Sequence, residues 1–154
     1  MSQATILAEI KTLLETVTDI GNVHDYIRST YFWNQFFAEH QDGTKILSWE
    51  ISRVGTAQAL ATVGAVEDLY HLTHSFVIVG HMSLSDELET EKTFQSLCDT
   101  IQDSFREDDN LNGTILPIQP PNKLQIKSVG HANYAGILVH HAVLTIDLVE
   151  RVGG

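Results

Sequence analysis

Eight histidines, one cysteine and 20 acidic residues are the groups in this chain best equipped for chemistry. Imidazoles suit metal binding or proton transfer, so their spacing is decisive. His71 and His74 are an odd number of positions apart. Alternate side chains of a strand leave opposite faces, so on a strand this pair cannot hold one ion. Adjacent His140 and His141 fail for the same reason. His74 with His140 stays open as a cross-strand pair if their strands are neighbours, and it would still need a carboxylate or a third histidine alongside.

Nucleophilic chemistry is no better supported. Cys98 falls on an apolar helical stripe, where a thiol packs as a small hydrophobe, and no serine sits in a Gly-x-Ser-x-Gly elbow. Phosphate-cradling loops are missing too. Gly153-Gly154 is a tail, and the stretch from Gly55 to Gly64 lacks the Lys-Ser/Thr pair of a nucleotide loop. The expectation is therefore no catalytic residue, no metal and no cofactor. Asp86, Glu87, Glu89, Glu91, Asp103, Glu107, Asp108 and Asp109 gather on and just past one helical segment. They read as a solvated face, with an acidic docking surface as the alternative.

At 154 residues the chain fits a single domain, 1–154, with room for a sizeable core. Its formal charge of −11, from 20 acidic residues against 9 lysines and arginines, argues against a duplex-binding surface. One cysteine excludes a disulfide framework. No apolar run reaches a spanning length and no cleavage pattern follows the N-terminus, so a soluble, unsecreted protein is expected.

The elements follow from periodicity. Ile6, Leu7, Ile10, Leu13, Leu14, Val17 and Ile20 form one helical stripe, which Gly21 is placed to end. Tyr31, Phe32, Trp33, Phe36 and Phe37 are crowded together. Helix and strand both fit there, and the four-residue spacing favours a short helix before an Asp42-Gly43 turn. Residues 44–54 alternate as a half-buried strand, 56–66 read as a weak helix or a long loop, and 70–82 alternate again as a long strand antiparallel to the first. Ser83 or Ser85 is placed to cap a second helix, 85–106, buried through Phe94, Leu97, Cys98, Ile101 and Phe105. Residues 110–121 make a loop with at most a short edge strand at 114–118.

Residues 124–129 alternate weakly, and 130–133 turn the chain into a final strand, 134–151. In that strand Leu138, His140, Ala142, Leu144, Ile146 and Leu148 share one side. The other side starts apolar and becomes polar by Thr145 and Asp147. Such a sheet needs cover from a helix or a partner subunit. The fold class predicted is α+β, a mainly antiparallel or mixed sheet with two main helices packed on one face.

Several short patterns carry a resemblance. The run Ile20-Gly21-Asn22-Val23-His24-Asp25-Tyr26 with Arg28 is one, and Trp49-Glu50-Ile51-Ser52-Arg53 and His74-Ser75-Phe76 are others. With Phe94-Gln95, Phe105-Arg106 and Leu111-Asn112-Gly113 they resemble the tail terminator, or tail completion, proteins of long-tailed bacteriophages. The likeness runs from about residue 6 to 150. It implies a virion subunit that forms a hexameric ring, caps the tail tube and stops its polymerisation. Its partners would be other copies of itself, the tail tube protein and the head connector or neck protein, with DNA passing through the lumen without sequence-specific binding and no membrane involved. Polar residues near turns and strand ends, Asp25, Arg28, Glu50 and Arg53, are the candidates for subunit contacts, since Arg pairs well with carboxylates. For each singly, a surface salt bridge of at most about 1 kcal/mol is an equal reading. Competing classes are a head-completion or connector-adaptor protein, and a small enzyme or metal-binding domain.

Overall fold

A computed structural model of the chain describes residues 3–26, 41–42, 45–62, 69–84, 89–119, 122–134 and 137–153. The elements are α1 (Gln3–Glu15), β1 (Asn22–His24), β2 (Gln41–Asp42), β3 (Lys45–Thr62), β4 (Leu69–Ser83), α2 (Thr90–Glu107), β5 (Gln125–Tyr134) and β6 (Ile137–Gly153). The strands form one sheet in the order β1-β3-β4-β6-β5, with β2 also paired to β3. Among the described residues only the β1–β3 pairing is parallel. The chain is α+β, as the patterning predicted.

Both helices cover the same face of the sheet. On α1, Ile6, Ile10 and Leu14 are buried, and on α2 Phe94, Leu97, Cys98, Ile101 and Phe105 are. They share one core with Leu47, Trp49 and Ile51 of β3, Phe76, Ile78 and Met82 of β4, and Ala142, Leu144, Ile146 and Leu148 of β6. Cross-strand register puts these positions side by side: Trp49 lies opposite Gly80, and Ile51 opposite Ile78, itself opposite Leu144. Trp49 stacks on Phe94 at 5.5 Å and donates its indole N–H to the Ile20 carbonyl at 2.9 Å. Gly80 makes that possible, because a Cβ there would run into the indole ring.

Several boundaries differ from the periodicity reading. The α1 helix stops at Glu15, although Val17 and Ile20 stay buried. Beyond it the chain tightens into three-residue turns, with Val17 N–H donating to Leu14 O and Ile20 N–H to Val17 O. Apolar spacing persists through such turns and cannot mark where helical hydrogen bonding ends. Gly21, at φ +81°, serves a different need from the helix stop expected of it: a Cβ there would strike the Leu47 carbonyl as the chain enters the sheet.

Residues 56–62 are strand, not helix or loop. Their small side chains carry little pattern, and pairing with β4 settles their conformation. Residues 130–133 are likewise strand rather than turn, with Gly130 opposite His141 and His131 opposite His140. The final strand thus begins at Ile137, and Tyr134 ends β5. Ser83 closes β4 and accepts a hydrogen bond from the Ile46 N–H at 2.7 Å, so it caps no helix. The described helix starts at Thr90 after Glu89, whose φ is 51° and whose side chain makes no capping bond. Ser85, the aromatic segment 31–37 and the Gly43 half of the expected turn lie outside the described residues. Residues 114–118 form no strand, but Leu116 N–H donates to Val149 O at 2.9 Å and extends the sheet by one bond.

Candidate functional site

The histidines are distributed by strand parity. His81 and His141 face each other across β4 and β6 on the face away from the helices, with ring centres 5.3 Å apart. His81 Nε2 lies 3.3 Å from the Glu50 carboxylate of β3, and both side chains are buried. Burial first, and the neighbouring His81 second, hold the His141 imidazole below its ordinary pKa.

On the helix side, His74 joins two strands. Its Nδ1 is 2.8 Å from the Thr56 hydroxyl and its Nε2 is 3.0 Å from the Glu150 carboxylate. His140 stands elsewhere on that face, 2.8 Å from the Thr90 hydroxyl, stacked on Phe94 and 5.2 Å from His131.

The cross-strand pairing of His74 with His140 does not form. β4 and β6 are neighbours, but His74 lies opposite Leu148 and His140 opposite Met82, so the two rings sit at different levels of the sheet. His71 and His74 leave opposite faces as their spacing required. Among the described residues no three His, Cys, Asp or Glu groups gather as metal ligands. Burial pushes the Cys98 thiol up to about 12, so it is protonated and slow to react near neutral pH. The described acids on α2 lie on its exposed side, and two local pairs form, Glu89 just before the helix with Lys92 at 3.2 Å and Asp103 with Arg106 at 2.9 Å, while Asp86 and Glu87 lie outside the described residues. That arrangement fits a solvated face.

Opposite the helices, Ser48, Glu50, His81 and Val139 are buried, but further along the strands the same face is half-exposed among the described residues. There Thr73, Ser75, Val77 and Val79 of β4 line up with Val149, Asp147, Thr145 and Val143 of β6, all half-buried. Past Ile51, β3 also outruns the helices: residues 53–60 are exposed throughout, including Val54 at 63% and Leu60 at 44%.

The four candidate contact residues meet different fates. Arg53 stands exposed at the start of this projecting arm, and Asp25 is half-buried in the bend after β1. Glu50 sits in mid-strand, 5% exposed, with its carboxylate on His81 of the same chain rather than at a strand end. Arg28 lies outside the described residues. Sequence reading missed the Thr56–His74–Glu150 chain of hydrogen bonds. Its only trace was that Glu150 continues the even-numbered face of the last strand. The chain matches no protein-family model and no curated protein sequence.

Proposed function

We propose that the chain is a virion structural protein, a tail terminator that assembles as a ring on the end of a bacteriophage tail tube. The observation that carries this reading is the sheet surface: among the described residues one face holds both helices, and part of the other, with the β3 arm, presents half-exposed valines and small polar residues. Apolar strand surface of this extent favours burial against another protein surface. The tail-terminator resemblance names the surface, namely neighbouring copies, with the tail tube protein below the ring and the head connector above.

In this role the protein performs no reaction. Its work is geometric: a closed ring of heterologous contacts ends a polymer because it offers no further tube-like surface. A strongly acidic subunit suits a lumen that DNA must traverse without adhering, since like charge repels the phosphate backbone. The test is deletion of the gene from its phage genome, with electron microscopy of the lysate. Overlong tubes, or heads and tails that fail to join, are expected. Tails of normal uniform length attached to heads would refute the role.

A further inference from the structure

The two outer edges of the sheet are unlike each other and both are open among the described residues. On one side, β3 is paired outward by β1 only at Ser48 to Glu50 and by β2 only at Lys45 and Ile46. Beyond that, residues 53–60 are exposed without a break. On the other side, β5 ends the strand order and pairs only inward, with β6. Its residues Gln125, Lys127, Ser128, Gly130 and His131 are exposed. Long open edges are templates for further strand pairing, and soluble proteins usually blunt them with charge or proline. Here these devices are sparse: beyond Arg53, 54–62 carry no charge and no proline, and 125–134 carry one lysine, Lys127, and no proline.

The absence of acids on both edges is informative in a chain with 20 of them. Two acidic molecules repel at most approaches, and these edges are where that repulsion is least. We infer that β5 of one protomer pairs with the open part of β3 of the next, forming a ladder between copies of this chain. The inference rests on the ring reading above and supplies its contact.

Strand sense supports the pairing. From β3 through β4 and β6 to β5 every step is antiparallel, so β5 runs opposite to β3. Copies related by rotation about an axis along the strands keep their sense, and the new pair is antiparallel. Two different edges meeting head to tail make a heterologous contact, the kind that closes rings. Register adds a further requirement. Gln125, the first residue of β5, is level with Thr145, Val77 and Ser52, so β5 and the open part of β3 extend to opposite sides of that level. Joining them staggers successive copies along the strand direction, and such stagger accompanies the tilted strands of closed sheets.

The test uses full-length Ala59→Cys and Ser128→Cys, two exposed positions whose register partners, His71 and Val143, lie on the face away from the helices. The two variants are mixed and treated with a short bis-maleimide, while buried Cys98 stays silent. A cross-linked pair that contains one copy of each variant, absent when either is treated alone, is expected. Cross-links within one variant, or none, overturn the inference. If native mass spectrometry finds a ring in the sample that lacks the mixed cross-link, the edge contact is wrong and the ring reading stands; a monomer overturns the edge contact, and the deletion lysate judges the ring separately. A second variant, Val54→Lys with Leu60→Lys, blunts the β3 edge directly. It should weaken association by about tenfold or more, with an unchanged thermal midpoint at dilutions where the chain is monomeric, and unchanged association would overturn the contact.

Discussion

The same three strands, β3, β4 and β6, behave differently at their two ends. Under the helices their inward positions hold Trp49, Ile51, Phe76, Ile78 and Leu144, all fully buried. At the other end the corresponding positions hold Thr56, His74 and Glu150, joined by hydrogen bonds, with Leu60 exposed further out. Alternation alone does not make a core; a second layer must lie over it. Where the helices end, a polar chain takes their place, in which buried His74 hydrogen-bonds both Thr56 and Glu150.

The largest test of this contrast is in the covered half. Trp49→Ala removes the indole stacked on Phe94 and the bond to Ile20, and should cost about 3–5 kcal/mol, with Ile101→Ala at about 2–5 kcal/mol. Either is a large part of the about 5–15 kcal/mol that a domain has in total. Denaturant unfolding measures both, and an unchanged midpoint would show that this end is not the core.

At the polar end, His74→Ala should be milder, about 1–3 kcal/mol, because it deletes hydrogen bonds to buried Glu150 and exposed Thr56 rather than an aromatic core. If it proved as costly as Trp49→Ala, the two ends would be equally structural and the comparison would fail.

A smaller effect concerns pH and the face without helices. His141 has its folded-state pKa lowered from 6.5, chiefly by burial. For a base shifted in this direction, the unfolded chain takes up the proton first. Stability contributed by the neutral folded form is present above pH 6.5 and lost as pH falls through the lower folded value. His141→Gln should therefore flatten the fall of the melting temperature on acidification. An unchanged slope would remove His141 as its source.

Least of all should happen at the arm. Val54→Lys, at a position 63% exposed, should change the stability of the isolated chain by no more than about 0.5 kcal/mol. A larger loss by thermal unfolding would mean that the arm is packed within the single chain, sharpening where the covered region ends.

Much of this architecture was written locally. Period-three-to-four spacing in Ile6, Ile10 and Leu14, and in Phe94, Leu97, Ile101 and Phe105, identified two helices with one apolar side each. Period two in 70–82 and from Ile137 on in the last strand assigned residues to the two faces correctly, because side-chain direction on a strand depends only on local geometry, although outward His81 and Val139 are buried and inward Leu138 is exposed. That same rule correctly separated His71 from His74. The sequence by itself thus determined the α+β class, the core stripes and the burial of Cys98.

Tertiary structure alone decided the rest, since it depends on which strand lies beside which and at what level. The strand character of 56–62 and of 130–133 comes from hydrogen bonds to β4 and β6, which no local pattern announces. Register brought Thr56 and Glu150 to His74, and Glu50 to His81, while it kept His74 away from His140. Strand order and the three-residue length of β1 left the far part of β3, and β5, as unlike outer edges among the described residues. Pairing partners and stagger are long-range choices, set by how the helical layer and the sheet bury their apolar faces together, and residue spacing within one element carries no record of them.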